Sequence, residues 1–190
     1  VLFRSPESSR NNRATPDDFA YQSAILPGVS RTFALTIPVL PQDLAVVMTN
    51  AYLLCRIADT IEDDIGLDND QKSRFHRMFV AIVEGSDSAE DFAAQLFPLL
   101  STRSLPAERD LVRNTPAVIR VMHGFSPPER AALTQCVATM CKGMPEFQRN
   151  KSLAGLRDLE ELAEYCYYVA GDVGEMCTEL FCLHVPELAS

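Results

Sequence analysis

From Pro41 to Gly66 the chain reads PQDLAVVMTNAYLLCRIADTIEDDIG, an apolar run whose few polar positions recur at helical rather than strand spacing. Placed at about 100° per residue, Thr49, Tyr52, Arg56, Asp59 and Asp63 fall inside one arc of roughly 80°. Leucine, isoleucine, valine, methionine, alanine and Cys55 fill the other directions. A helix apolar on nearly every side is a buried helix. Its single polar stripe is therefore expected to line an internal cavity, because buried charges persist only when paired or held against metal.

The rest of the chain is patterned as helices too. Pro16 and Asp17 suit a helix start, giving a short helix through Ala24. Residues 30–41, SRTFALTIPVLP, form either a short helix after Ser30 or an extended lead-in, with Pro38 and Pro41 bracketing the end. Residues 71–84 form an amphipathic helix with Phe75, Met78, Phe79 and Ile82 inward. Shorter helices are predicted over 88–100, 106–113 and 115–123, and a longer one opens at Ser126 with Pro127, Pro128 and Glu129 and runs to Met144. A last long helix spans 157–183. No alternating strand pattern or repeat occurs. The predicted fold is all-α, a bundle of about seven or eight helices around a central cavity, with residues 1–16 a mobile tail and 17–190 one domain.

Composition narrows the function classes. With 47% hydrophobic residues in 190, one domain with a substantial core is expected. A net charge of −9 argues against a nucleic-acid-binding face, which needs to be basic. The six cysteines form no CxxC pair and lie in apolar helical context, so they read as reduced core residues of a cytoplasmic protein. No stretch reaches the roughly 18 apolar residues of a membrane span, and peripheral or C-terminal membrane association is left open. His76, His123 and His184 are isolated helix residues, with no histidine-based metal site.

Charge placement adds candidate chemistry. Residues 57–71 contain six acids and no base, crowded where the helix macrodipole disfavours anions. Two readings stand: a solvated acidic helix end, or a site for a hard cation such as Mg2+, which takes one or two carboxylates plus waters or substrate phosphates. Ser30, Arg31 and Thr32 offer either a small anion-binding cluster or a plain serine cap followed by a surface arginine. In the last helix Asp158, Glu161, Tyr165, Tyr168, Asp172, Glu175 and Glu179 share about 100° of arc, with Tyr167 opposite. Gly171 and Gly174 are expected where a backbone or ligand comes close.

Three segments, SRTFAL (30–35), YLLCRIADTIEDD (52–64) and YCYYVAGDVG (165–174), together resemble the squalene/phytoene synthase family of head-to-head trans-isoprenyl diphosphate synthases. DTIEDD and YCYYVAG are most similar to the squalene synthase forms of their motifs. The resemblance implies an isoprenoid-synthase helical bundle, Mg2+ and NADPH as cofactors, and two farnesyl diphosphates condensed to presqualene diphosphate and reduced to squalene. By position it implies Asp59, Glu62 and Asp63 as Mg2+ ligands and Ser30 and Tyr52 at the diphosphate. It further implies Arg31 and Arg56 at diphosphate or NADPH phosphates, and Tyr165 as the catalytic tyrosine. Glu62 lies off the polar arc and rests on resemblance alone. The family's second aspartate-rich motif is absent, so a piece of a longer protein is expected. The alternatives are a dehydrosqualene or phytoene synthase, or a non-catalytic prenyl-diphosphate-binding protein.

Overall fold

Thr15 opens the first helix: its hydroxyl accepts from the Asp18 amide while the Asp18 carboxylate accepts from the Thr15 amide. The computed structural model describes residues 13–149 and 155–189. The expected tail therefore lies almost wholly outside the described residues.

Helix α1 (Pro16–Val29) is followed by one short turn of helix, α2 (Phe33–Thr36), that tightens into a 3₁₀ turn at Ile37–Val39. The helical alternative for residues 30–41 is thus the one adopted. Next come α3 (Gln42–Asp63), α4 (Asn69–Val83), α5 (Ala89–Leu96) with a 3₁₀ turn at Phe97–Leu99, α6 (Pro106–Arg113) and α7 (Thr115–His123). The long α8 (Pro127–Arg149) precedes α9 (Leu159–Cys166), a π turn at Tyr167–Gly171, α10 (Asp172–His184) and a final 3₁₀ turn at Pro186–Ala189. Every regular element among the described residues is helical.

Two helices overrun their expected ends. α1 continues to Val29 through Pro27, and α8 to Arg149 through Pro145. A proline near the end of a helix removes one hydrogen bond but does not forbid the last turn when packing holds it.

α3 is the central rod, packed against α1, α4, α6, α7, α8 and α10. Leu53, Leu54, Ile57, Ala58 and Ile61 are fully buried, as the periodicity requires. α4 answers with Phe75, Phe79 and Ile82, and the Phe79 ring stacks on Phe92 of α5 at 5.6 Å between centroids. Contrary to the sequence expectation, α3 is long and apolar enough, by length and composition, to cross a membrane, yet most of that stretch is buried within the bundle.

His76 is more than an ordinary helix residue. It is buried, its Nε2 lies 3.2 Å from the Ala58 carbonyl oxygen, and burial pushes its pKa down to about 4, so the ring is a neutral core group. The cysteine expectation is corrected in part: Cys55, Cys136 and Cys141 are buried, but Cys166 is exposed and Cys177 and Cys182 are half-buried.

Candidate active site at the acidic end of α3

The polar stripe of α3 serves three different surroundings, not one cavity. Tyr52 and Asp59, on one edge of the arc, line a cavity of about 440 Å³ between α3, α8 and the π turn with α10. Arg56 and Asp63, nearer the other edge, line a smaller pocket of about 200 Å³ against α6 and the loop before it. Thr49 faces a third, toward α1 and α2, and its hydroxyl donates to the Ala45 carbonyl at 2.7 Å. An arc of roughly 80° is wide enough for its two edges to meet different neighbours.

The acids divide the same way. Asp59 is half-buried, and its carboxyl is pushed up to about 6 by burial, with Arg56 opposing and Asp63, Glu62 and Glu108 reinforcing the rise. Asp63 is exposed at the last turn. Glu62 is buried, and Lys72 of α4 donates to its backbone carbonyl. Asp64, the last acid of DTIEDD, does something else. Its carboxylate accepts from the amides of Gly66 at 2.7 Å and Ser101 at 3.0 Å and from the Ser104 hydroxyl at 2.5 Å, so it ties the end of α3 to the loop before α6. That structural use was invisible in the sequence, because Ser101 and Ser104 lie far along the chain.

Arg56 is already engaged. One end of its guanidinium binds the Glu108 carboxylate on α6, and its Nη1 lies 3.7 Å from Asp59. Tyr52 donates its hydroxyl to the Val29 carbonyl at 2.8 Å and packs its ring on Phe33 at 5.3 Å. Ser30 is buried, and its Oγ accepts from the Phe33 amide at 3.0 Å, the plain-cap alternative. Arg31 is exposed and forms no ion pair among the described residues.

The 440 Å³ cavity is mainly apolar: Phe33, Met48, Met140, Val169, Val173 and Met176 form much of its wall, with Tyr52 and Asp59 its polar members. Gly174 lines it too, and a methyl there would meet no atom within 4 Å, so this glycine leaves cavity space open. Gly143 has the opposite setting. A Cβ at that position would overlap the Tyr168 ring, a close helix approach that spacing alone did not signal.

The predicted stripe along residues 158–179 is corrected by the π turn. An i→i+5 turn advances the chain by less than 100° per residue, so α10 is rotated relative to α9. Tyr167 and Glu175, about 80° apart on a regular helix, meet through a 3.0 Å hydrogen bond. Tyr167 is therefore on the solvent side at 43% exposure, not on an apolar face. Asp172 turns into the core with Met176 and Leu180. Its carboxyl oxygens have no hydrogen-bond partner, and burial raises its pKa to about 6. Tyr165 is half-buried with its ring edge-on to Phe147 at 5.3 Å. Its phenol is raised by burial first and then by Glu62, Asp63 and Asp59, so the tyrosine and these three acids occupy one electrostatic neighbourhood.

For Mg2+ the donor set fits. Asp59 and Asp63 are hard oxygen ligands one turn apart, and the raised Asp59 carboxyl marks an acidic cluster that a cation would stabilise. Among the described residues no three His, Cys, Asp or Glu side chains converge closely enough to hold an ion unaided. Water and substrate phosphate would complete the shell. For NADPH the fit fails: Arg56 is paired, Arg31 stands exposed, and the two do not combine into a site.

Comparison with known proteins agrees with the motifs. Residues 26–190 match the squalene/phytoene synthase family. Squalene synthase of Cyberlindnera jadinii is 29% identical over 184 residues, covering 96% of this chain and 40% of that protein. Presqualene diphosphate synthase of Botryococcus braunii is 30% identical over 176 residues, covering 91% of this chain and 40% of that protein. A solved structure of TcSQS in complex with the ligand BPH1237 superposes with a TM-score of 0.76 at 25% identity, covering 92% of this chain and 48% of the other. The chain thus spans less than half the length of these relatives. With the family match running from α1 to the final residue, this chain belongs to the squalene/phytoene synthase family.

Proposed function

We propose that this chain forms the portion of a squalene synthase that binds and ionises farnesyl diphosphate for Mg2+-dependent head-to-head condensation to presqualene diphosphate. The observation that carries the reading is the apolar cavity with the half-buried Asp59 at its wall and Tyr165 within electrostatic reach of the same acids. A prenyl chain suits the methionine, valine and phenylalanine lining, and its diphosphate suits the acidic end once a cation is bound. Mg2+ supplies charge neutralisation of the departing diphosphate. Asp59 and Asp63 would hold it, with Glu62 as the third ligand by resemblance alone.

The chain's own groups do the rest. The apolar wall excludes water from an allylic cation, and the Tyr52 and Phe33 rings offer it their faces. Ser30 and Arg31 flank the entry to α2 on the substrate side, by resemblance. The Tyr165 phenol exchanges a proton with the diphosphate or the cationic intermediate. The family's NADPH step is proposed for the complete enzyme and derived from no residue of this chain.

Incubation of the complete enzyme with farnesyl diphosphate and Mg2+ should yield presqualene diphosphate, and squalene once NADPH is added, by mass spectrometry. Asp59→Asn should remove product while leaving helical circular dichroism unchanged. Undiminished turnover in that variant would defeat the metal assignment. A second reading is favoured by the Botryococcus relative, whose name stops at presqualene diphosphate. Product that remains presqualene diphosphate in the presence of NADPH would select it.

A further inference from the structure

We infer that Glu108, on the first turn of α6, is a positioning residue that aims the Arg56 guanidinium at the bound diphosphate; this rests on the reading of the acidic end of α3 as the diphosphate site.

Three observations converge on it. Glu108 binds Nη2 of Arg56 directly, and both side chains are largely covered, at 13% and 28% exposure. The Nε–H of Arg56 is buried with no acceptor, while Nη1 only approaches Asp59 at 3.7 Å. A buried donor without a partner is costly, so a guanidinium fixed this way is incomplete by itself. An anionic oxygen next to Asp59 and Asp63 would satisfy it. Finally, Arg56, Glu108 and Asp63 line the same 200 Å³ pocket, together with Arg103 and Ser104.

α6 is well held for such a task. Tyr21 of α1 donates to the Asp110 carboxylate at 3.0 Å, and Arg109 donates to the carbonyls of Leu100 and Ser101 at 2.6 and 2.9 Å. Glu108 therefore presents its carboxylate from a fixed backbone. An arginine has a planar fork that recognises phosphate only when its plane is correctly set. Anchoring one terminal nitrogen sets that plane and leaves the remaining N–H groups for the ligand. A freely rotating guanidinium would lose this ordering on every binding event.

The test is titration calorimetry of this 190-residue chain with inorganic diphosphate in the presence of Mg2+, alongside thermal unfolding. Glu108→Gln should weaken binding about fivefold or more with the melting temperature little changed. Glu108→Asp should recover part of the loss. In the background of Arg56→Ala, Glu108→Gln should have no further effect on binding. Unchanged or tighter binding in Glu108→Gln, with Asp59→Asn still abolishing the wild-type signal, would overturn the positioning role and leave the proposed site standing. Absence of Mg2+-dependent diphosphate binding in the wild-type chain would overturn both. A drop in melting temperature with unchanged affinity would reduce Glu108 to a structural pair.

Discussion

α3 and the segment from α9 to α10 both carry a polar stripe on an apolar helix, and only the first keeps its phase. On α3 every residue advances by the same step, so the fully buried row Leu53, Leu54, Ile57, Ala58 and Ile61 lies where periodicity puts it. In the second segment the π turn at Tyr167–Gly171 changes the step midway. Tyr165 stays near the acids of α3, while Tyr167 and Glu175 go to solvent and Asp172 goes inward. Helical projection is thus dependable only as far as the turn remains α, and wider turns are frequent at functional sites.

The sharpest separation of the two regions lies in the tyrosines. In the complete enzyme Tyr165→Phe should lower turnover by roughly 10²–10⁴-fold, the range for a lost proton-transfer group, with stability almost unchanged. Tyr167→Phe, which removes only an exposed hydrogen bond to Glu175, should leave steady-state rates near wild type. Reversed effects would return the segment to the regular helix that the sequence predicts.

The regular region should fail in the opposite way. Phe79→Ala, at a fully buried ring stacked on Phe92, should cost about 3–5 kcal/mol of stability in chemical denaturation. A loss under about 1 kcal/mol would mean that the α4–α5 contact is not the packed core described.

Asp172 gives a pH signature. Its folded pKa of about 6 stands above the ordinary 3.8, so the folded state binds the proton more tightly. That preference favours folding fully below 3.8 and is lost as pH rises through about 6. Asp172→Asn should raise stability at pH 7.5 by up to about 3 kcal/mol, the limit set by that pKa gap, and give little gain near pH 4. Equal gains at both pH values would show that shape rather than charge is relieved.

The smallest expected change is at the glycines. Gly143→Ala forces a methyl into the base of the Tyr168 ring and should destabilise by about 1–3 kcal/mol. Gly174→Ala, with open space around it, should stabilise by up to about 1 kcal/mol through helix propensity while narrowing the cavity. Equal responses in a melting series would erase the distinction between a contact glycine and a cavity glycine.

Local chemistry made much of this legible. The buried helix, its termini near Pro41 and Gly66, the inward face of α4 and the short helices α6 and α7 follow from periodicity and capping residues within a few positions of each other. Long-range pairing is a different matter. Glu108 and Arg56 are 52 residues apart, Tyr21 and Asp110 are 89, and nothing along the chain distinguishes these carboxylates from solvated ones. Asp64 shows the limit most plainly: it reads as another acid of the motif, and three hydrogen bonds to loop groups turn it into a clamp. The π turn was hidden for a related reason. YCYYVAG has ordinary helical residues, and the wider turn answers to the packing of Tyr168 on Gly143 rather than to local preference.

The wider turn also sets what length changes the segment can bear. A π turn holds one residue more than the α turn it replaces, so deleting a single residue within 167–171 would shorten the chain to fit a continuous helix without breaking it. The protein would remain helical there, but everything downstream would rotate by about 100°. Met176 and Leu180 would leave the core, and Gly174 would swing away from the cavity wall. A one-residue deletion in this stretch is thus a change of face for the whole of α10, while substitutions at the same positions alter only single contacts.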